Sequence, residues 1–290
     1  MSHIILIADA GSTKVQWLAV DTSAGEWIDL GCGAGINALM STADGLTASI
    51  GTQLAELLPP FTAADISKVV YYGAGCVDTE VCSTVAEALR RVLGESIETE
   101  VHSDLVCAAR ALLGRAPGIA CIIGTGSNSC LWDGHSIRAN ISPLGYILGD
   151  EGSGAVLGRR LLGDLYKGML PAELLKDFEA ETGITRSSAI RCVYRQPAPN
   201  TFLASLVPFI AGHISHPALR QMVIGCFEDF LRRNVERYPG YREQTLAFTG
   251  GVASVLEAEL TEACTSRGLT ISRIVKAPAE AIADYHLCNH

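Results

Sequence analysis

The sequence predicts an α/β fold, because short apolar runs that end in glycine-rich turns alternate with segments of helical periodicity. Helical spacing of apolar residues marks Ser83–Leu93 and Asp104–Leu113. Each apolar run is typical of a buried strand that delivers a loop to one edge of a sheet. The runs are Ile4–Ile7, Val69–Tyr72, Ile119–Ile123 and Leu246–Phe248.

The length and the spacing of these elements predict two lobes. The chain has 290 residues, of which 48% are hydrophobic, and about 150 residues per domain gives roughly two domains with sizeable cores. The first and third loops resemble each other, which indicates a duplicated fold. We place the lobes at 1–110 and 111–290, because Ala116-Pro117-Gly118 interrupts the chain soon after this boundary. Helical patterns dominate about 161–240 and predict a helical insertion in the second lobe.

Composition excludes several classes of function. The chain carries 31 acidic and 22 basic residues without a basic block, so the attraction that nucleic-acid binding needs is missing. The sequence contains no apolar stretch of the roughly 20 residues that a membrane span requires. The first apolar run is interrupted by Asp9 and lacks the cationic start of an export signal. The ten cysteines stand singly and are expected to be reduced. We therefore expect a soluble, cytoplasmic protein.

Glycine-rich loops at strand ends can present backbone N–H groups to phosphate oxygens. The usual nucleotide signatures are nevertheless missing. A GxxxxGK[ST] motif does not occur, and the segment 31–36 lacks the last glycine of GxGxxG. These observations disfavour a P-loop enzyme and a Rossmann dehydrogenase.

A different set of motifs fits the loops. Asp9-Ala10-Gly11-Ser12-Thr13-Lys14 resembles the first phosphate motif of the actin, sugar-kinase and heat-shock-70 ATPase superfamily, and Ile123-Gly124-Thr125-Gly126-Ser127 resembles the second. Thr249-Gly250-Gly251-Val252-Ala253 is similar to the adenosine motif. The segment 143–153, which contains Gly149-Asp150-Glu151-Gly152, resembles the N-acetylglucosamine kinase and BadF/BadG/BcrA/BcrD ATPase family. The motifs stand in the family's order along nearly the whole chain.

This resemblance implies two ribonuclease-H-like lobes, each with a five-stranded mixed sheet, that bind ATP and substrate in the cleft between them. Asp9 ends an apolar strand and would be the ligand of the Mg²⁺ that accompanies ATP, through water. The residues implied to bind ATP are Gly11, Ser12, Thr13 and Lys14 in the first loop, Gly124, Thr125 and Gly126 in the second, and Gly250, Gly251, Val252 and Ala253 in the adenosine motif.

The resemblance also implies a general base, Asp104. It would accept the proton of the attacking sugar hydroxyl as the oxygen meets the γ-phosphorus. Asp104 also stands where a helix begins, so an N-cap role is expected as well. Asp150 is the rival carboxylate for the base.

Several polar residues are implied to bind the sugar. Asp150 would accept hydrogen bonds from sugar hydroxyls, with Glu151 as a support residue, because neighbouring side chains of an extended segment point in opposite directions. Ala38 follows Asn37 where the compared acetylhexosamine kinases have histidine, which weakens the transfer of sugar identity. The expected sugar-binding residues are Asn37, Ser127, Asn128, Gly145 and Asp150.

Two classes of function remain. The first is a kinase that phosphorylates an amino sugar, with N-acetylglucosamine or a relative as the expected small-molecule substrate. The second is an ATP-driven activator with an iron–sulfur cluster between two subunits. The second loop of that activator group resembles DIGGQD, whereas this chain has GTGSNS, and Cys130 and Cys192 lie in no glycine-rich context. We expect the kinase, with no nucleic-acid or membrane partner, and leave a homodimer open.

Overall fold

The computed structural model describes residues 3–11, 13–58 and 61–289. The chain forms two compact units. Unit 1 comprises residues 1–114 and 278–290, and unit 2 comprises residues 115–277. The sequence placed the C-terminal segment in the second lobe, whereas the structure packs it into unit 1. The predicted α/β fold with two five-stranded mixed sheets is confirmed.

Unit 1 contains a five-stranded sheet with the order β3-β2-β1-β4-β5. Its strands are β1 (Ile4–Ala10), β2 (Lys14–Asp21), β3 (Glu26–Ala34), β4 (Ile66–Gly73) and β5 (Glu98–Ser103). β2 runs antiparallel to its two neighbours, β1 and β3, whereas β4 and β5 run parallel to β1. The carboxyl ends of β1, β4 and β5 therefore meet at one edge of the sheet.

Helices cover both faces of this sheet. They are α1 (Ala43–Leu57), α2 (Thr79–Leu93), α3 (Asp104–Leu113) and the C-terminal helix (Ala279–Cys288). Alternate residues of β1 point to opposite faces: Leu6 joins the core that contains α1 and α2, and Ile7 joins the core that contains α3 and the C-terminal helix. The C-terminal helix belongs to unit 1 because it buries Ile282 in this second core.

Unit 2 contains a second five-stranded sheet, with the order β8-β7-β6-β9-β10. Its strands are β6 (Gly118–Ile123), β7 (Ser127–Trp132), β8 (Ile137–Asn140), β9 (Leu246–Thr249) and β10 (Ile271–Val275). Three successive antiparallel strands are again followed by two parallel ones. The strand order thus repeats that of unit 1, as the similarity of the two phosphate loops predicts.

The segment between β8 and β9 forms helices and turns, and its residues 141–245 contain no strand. The helices of unit 2 are α4 (Gly145–Leu148), α5 (Gly154–Tyr166), α6 (Ala172–Thr182), α7 (Arg186–Arg195), α8 (Pro199–Ala204), α9 (Val207–Gly212), α10 (Pro217–Arg233), α11 (Gly251–Val255) and α12 (Glu257–Ser266). Phe178, Phe227 and Phe248 are fully buried in one core with the sheet. Within the described part of the chain, no helix combines the length and apolarity required to cross a membrane.

Candidate functional site

Two carboxylates of unit 1 lie at the edge where its parallel strands end. The strand register places Asp9 beside Tyr72 and Tyr72 beside His102. Asp104 follows His102 by two residues and begins α3. Because β1, β4 and β5 are neighbours that end on the same side, Asp9 and Asp104 reach the same edge. Both residues are half-buried.

Each carboxylate has a perturbed pKa. The pKa of Asp9 is raised to about 6, chiefly by burial and also by the charge of Asp104, while the charge of Lys14 acts in the opposite direction. Burial also raises the pKa of Asp104, while backbone N–H groups of Leu105 and Asp104 act in the opposite direction. Two acidic groups that interact in a partly dehydrated place create a negative potential, which favours a cation or a proton there. Perturbed carboxylates of this kind are typical of functional sites.

The expected N-cap role of Asp104 is wrong. The N-cap of α3 is Ser103, whose hydroxyl accepts a hydrogen bond from the N–H of Val106 at 3.4 Å. Serine satisfies the N-cap geometry as well as aspartate does, so the cap falls one residue earlier. The Asp104 carboxylate is consequently not the cap of its own helix.

The first phosphate loop is held by backbone hydrogen bonds at the same edge. The N–H of Gly11 donates to the carbonyl of Lys14 at 2.9 Å, and the carbonyl of Gly11 accepts from the N–H of Ile36 at 3.1 Å. Thr13 and Lys14 are exposed. Ser12, which we expected to contact phosphate, lies outside the described residues. The loop therefore stands against the segment that carries Asn37.

Asn37 is the polar side chain that this segment brings to the loop. Its Oδ1 is buried and has no hydrogen-bond partner among the described residues. A Cβ on Gly75 would lie 2.4 Å from this oxygen, and Gly75 adopts a φ of +84°. Gly75 is thus required beside Asn37, a role that sequence reasoning missed. A buried acceptor without a partner costs free energy, and a bound donor group would satisfy it.

The second phosphate loop of unit 2 is held from behind by α5. The N–H groups of Gly154 and Ala155 donate to the carbonyls of Gly124 and Thr125 at 2.8 and 3.1 Å. These bonds use the carbonyls of the loop and not its N–H groups. Gly126 closes the loop by accepting a hydrogen bond from the N–H of Gly124 at 2.9 Å.

The adenosine motif touches the second phosphate loop. Gly250 has a φ of +122°, and a Cβ there would lie 2.2 Å from the carbonyl oxygen of Ile123. Gly251 begins α11, in which Val252 and Ala253 are buried. The side chains of Val252 and Ala253 therefore serve the core, and the backbone of this motif is what it can offer a nucleotide.

Asp150 also lies at the second phosphate loop. Its Oδ1 accepts a hydrogen bond from the N–H of Ser127 at 3.4 Å, and a Cβ on Gly126 would lie 3.0 Å from its Oδ2. The pKa of Asp150 is raised to about 6, chiefly by burial and also by the charge of Glu151, while the hydrogen bond from the N–H of Ser127 acts in the opposite direction. A partly dehydrated carboxylate therefore lies beside Gly126 and Ser127 of the second phosphate loop.

Asp150 and Glu151 diverge for a reason that differs from the expected one. The expectation of an extended segment is wrong, because Asp150 adopts a left-handed conformation with a φ of 52°. The Glu151 carboxylate accepts hydrogen bonds from Arg233 at 2.9 Å and from Asn234 at 3.3 Å, and its backbone carbonyl accepts from the Ser127 hydroxyl at 2.8 Å. Glu151 thus ties the turn to α10 and to the loop, while Asp150 remains at the loop.

Asn128 and Gly145 complete the expected set. Asn128 Oδ1 accepts hydrogen bonds from Asn140 Nδ2 at 2.8 Å and from the N–H of Ser129 at 2.9 Å. Gly145 has a φ of +72°, and no atom lies within 4 Å of a Cβ built there. Sequence reasoning missed Asn140, and also Tyr238, whose hydroxyl bonds the backbone carbonyl of Ser129 at 2.8 Å. No spacing in the sequence joins these residues to the motif.

Two further features bear on cofactors. Among the described residues, no group of three or more His, Cys, Asp or Glu side chains is arranged to hold a metal ion by itself. A Mg²⁺ that keeps most of its water and binds substrate phosphate needs only one or two protein carboxylates. Asp9 and Asp104 are two carboxylates at one edge of the sheet of unit 1. The ten cysteines are free, and Cys130 is fully buried.

Comparison with known proteins defines the class of protein. Neither a protein-family model nor a curated protein matches the chain. The structure of a candidate N-acetylglucosamine kinase from Porphyromonas gingivalis is 44% identical, with a TM-score of 0.90 and 99% of each chain covered. A candidate N-acetylglucosamine kinase from Chromobacterium violaceum is 18% identical, with a TM-score of 0.71 over 98% of each chain. A candidate sugar kinase from Cytophaga hutchinsonii is 16% identical, with a TM-score of 0.54 over 99% of this chain and 100% of its own.

The two more distant structures show the fold, which is that of the sugar kinases and actin-like ATPases. The full-length similarity at 44% identity shows the family. The chain belongs to the N-acetylglucosamine kinase family of sugar kinases.

Proposed function

We propose that the protein transfers the γ-phosphoryl group of MgATP to a hydroxyl of an amino sugar. The acceptor is the 6-hydroxyl of N-acetylglucosamine or of a closely related sugar. The observation that carries this proposal is the pair of half-buried carboxylates, Asp9 and Asp104, at the edge where the parallel strands of unit 1 end. The similarity to the Porphyromonas gingivalis protein supports the choice of sugar.

Asp9 fits the role of a residue that holds the magnesium ion of MgATP. Its carboxylate is paired only weakly by Lys14, and the repulsion from Asp104 is relieved when a cation arrives. Bound Mg²⁺ would neutralise charge on the phosphates and orient them. Lys14 would add positive charge and Thr13 would add donors to this phosphate site, whereas the N–H of Gly11 already donates to the Lys14 carbonyl within the loop.

Asp104 would act as the general base. The sugar hydroxyl gives its proton to the Asp104 carboxylate while its oxygen bonds the γ-phosphorus, and the bond from the γ-phosphorus to the β–γ bridging oxygen breaks to release ADP. A raised pKa suits this role, because a base whose pKa approaches the working pH accepts a proton more readily. Asp104 is preferred to Asp150, since Asp104 shares its sheet edge with Asp9, the residue proposed to hold the magnesium ion.

Unit 2 would supply backbone groups for the nucleotide and polar groups for the sugar. Gly124, Thr125 and Gly126 form the second phosphate loop, and the backbone of the segment Gly250–Ala253 stands beside it. In unit 2, Asp150 would accept hydrogen bonds from sugar hydroxyls, and Ser127, Asn128 and Gly145 would also bind the sugar. Asn37 is the sugar-binding residue proposed in unit 1. Asn37 Oδ1 is the group that would accept from an amide or hydroxyl donor of the sugar.

The activator function is not supported by the structure. A cluster shared between two subunits needs thiolates at the protein surface. Cys130 is fully buried in β7, and Cys192 lies on a separate element, α7. Burial raises the pKa of Cys130 to about 12, which disfavours the thiolate form that binds iron.

A measurement of ADP release over a panel of sugars tests the proposed function. The panel contains N-acetylglucosamine, N-acetylmannosamine, N-acetylmuramic acid, glucosamine and glucose. We expect ADP release to depend on an N-acetylated amino sugar and to produce a sugar phosphate in equal amount. ADP release that is independent of every sugar, with a coloured cluster in the purified protein, would instead establish the activator function.

A further inference from the structure

A buried polar network joins the C-terminal helix to the elements that carry the two carboxylates of unit 1. Arg110 Nη1 on α3 donates to the Tyr72 hydroxyl at 2.7 Å, and the same hydroxyl lies 2.8 Å from Nε2 of His286 on the C-terminal helix. The Arg110 guanidinium also stacks over the rings of Tyr72 and Tyr285, at 5.6 and 5.5 Å from their centroids. Three separate elements therefore meet at one hydroxyl.

The direction of the hydrogen bonds follows from the donors present. Arginine can only donate, so the Tyr72 oxygen accepts from Arg110. In the neutral tautomer whose Nε2 carries no proton, His286 accepts the proton of the Tyr72 hydroxyl. Burial and the charge of Arg110 lower the pKa of His286 to about 4, which keeps the ring neutral at physiological pH. In this tautomer the Tyr72 hydroxyl both accepts a hydrogen bond from Arg110 and donates one to His286.

Tyr72 also lies on the central one of the three strands that end at the candidate site. It pairs with Asp9 on β1 and with His102 on β5, and the His102 ring stacks on the Tyr72 ring at 5.6 Å between centroids. His102 precedes Asp104 by two residues. Arg110 lies six residues after Asp104 in the same ten-residue helix, so whatever fixes Arg110 fixes the position of α3 along its axis.

We propose that His286 and Tyr72 are positioning residues, which hold α3 through Arg110 so that Asp104 stays aligned with Asp9. This inference rests on the proposed function, in which Asp104 is the base. The C-terminal helix thereby fixes the position of α3, which carries Asp104, although the two helices are far apart in the sequence. Neither positioning residue contacts the substrate.

Steady-state kinetics of His286→Leu, Tyr72→Phe and His286→Gln test the proposal. His286→Leu removes the acceptor, and Tyr72→Phe removes the shared hydroxyl with little change in volume. We expect both to lower kcat by about ten- to a hundred-fold, since small misplacement of a catalytic group has effects of this size, while the KM for ATP stays within about twofold. His286→Gln offers an amide oxygen as acceptor and should restore most of kcat.

Trp27→Phe is the matched control. Trp27 Nε1 donates to Asp284 on the same C-terminal helix at 3.1 Å, but this bond has no connection to α3. We expect this control to leave kcat unchanged. An equal loss of kcat in Trp27→Phe and His286→Leu would overturn the proposal, as would an unchanged kcat in Tyr72→Phe.

Hydrogen exchange of the backbone N–H groups in residues 105–109 provides a readout that does not depend on turnover. His286→Leu and Tyr72→Phe should exchange faster there than the wild type and Trp27→Phe. If the wild-type protein releases no ADP with any sugar, the proposed function fails, and the exchange rates alone decide whether the network holds α3. Unchanged exchange in both variants would overturn the positioning role.

Discussion

The two units share a strand order but differ in the chemistry that their strands deliver. The register that pairs Asp9 with Tyr72 in unit 1 pairs Ile122 with Thr249 in unit 2. The next strand pairs His102 with Tyr72 in unit 1 and Val275 with Thr249 in unit 2. Two residues further along the chain stand Asp104 in unit 1 and Ala277 in unit 2. Unit 2 thus has no carboxylate at either equivalent position.

Two units with the same strand order thus carry different chemical groups at their sheet edges. Unit 1 keeps the charged side chains at its sheet edge, whereas unit 2 keeps a glycine loop that is supported by the first turn of α5. The acidic residue of unit 2, Asp150, comes from the inserted segment between β8 and β9 and not from the duplicated strands. Side-chain substitutions in unit 1 should therefore affect catalysis, and backbone changes in unit 2 should affect the shape of the loop.

The largest effect is expected for Asp104→Asn. Loss of the general base should lower kcat by about 10² to 10⁴, while MgATP still binds. The measurement is sugar-dependent ADP release, with MgATP affinity from calorimetry. Asp78→Asn is the control, because Asp78 caps α2 through the N–H of Val81 at 2.9 Å and asparagine caps equally well. A kcat within tenfold of wild type in Asp104→Asn would show that Asp104 is not the base.

A smaller effect is expected for Asp9→Asn. Removal of the charge should raise the Mg²⁺ concentration required for half-maximal activity by up to about a hundredfold, since hydrogen bonds and contacts to a charged group contribute about 1.5–3 kcal/mol. Titration of activity with Mg²⁺ at fixed ATP measures this. Asp21→Asn is the control: Asp21 accepts turn hydrogen bonds from the N–H groups of Ser23 and Ala24, which an amide oxygen can also accept, so the Mg²⁺ requirement should stay unchanged. Identical Mg²⁺ curves for Asp9→Asn and wild type would exclude Asp9 as the metal residue.

Asp150→Asn tests the contribution of the carboxylate that lies at the second phosphate loop of unit 2. Asparagine tolerates the left-handed backbone of this position, so the variant tests the charge alone. Sugar affinity should fall roughly ten- to a hundred-fold, and ATP affinity measured without sugar should change little. Glu151→Gln, whose side chain faces Arg233 and Asn234, is the control and should keep its sugar affinity. Lost ATP binding with retained sugar binding would place Asp150 on the nucleotide side.

The smallest effect is a change of stability in Gly250→Ala. The added Cβ meets the Ile123 carbonyl, and the φ of +122° is unfavourable for alanine, so the free energy of unfolding should fall by about 1–3 kcal/mol. Gly25→Ala in unit 1 has a φ of +71° and no atom within 4 Å of the added Cβ, so only the backbone penalty of about 1 kcal/mol is expected. Thermal or urea denaturation measures both. Equal losses in the two variants would contradict the contact between Gly250 and the second phosphate loop.

Much of the fold could be predicted from sequence because local patterns determine it. Apolar runs such as Ile119–Ile123 become buried strands, and the glycines that follow them become loops at the sheet edge. The place of the C-terminal helix could not be predicted, since Ile282 meets its core partners only after the chain has completed unit 2. The periodicity of a helix indicates that it has an apolar face but does not identify the sheet that buries this face.

The candidate site divides in the same way. Asp9 and Asp104 follow strand-like segments, so their shared edge is implied by parallel strands. The partners that hold the other residues come from distant segments, as with Asn128 and Asn140 or Glu151 and Arg233. The left-handed backbone of Asp150 is equally hidden from sequence, because the conformation is imposed by contacts of the turn, such as the hydrogen bond from its N–H to the Pro143 carbonyl at 2.9 Å.

The return of the C-terminal helix to unit 1 sets an order of events during synthesis. All of unit 2 is made before residues 278–289, which fill the second core of unit 1 and supply His286. Unit 2 can therefore finish folding on the ribosome before the C-terminal helix covers Leu18 and Val20 of β2, which face the second core of unit 1. Because the C-terminal helix packs against α3 on this face, the hydrogen bond between His286 and Tyr72 cannot form before residues 278–289 have been made.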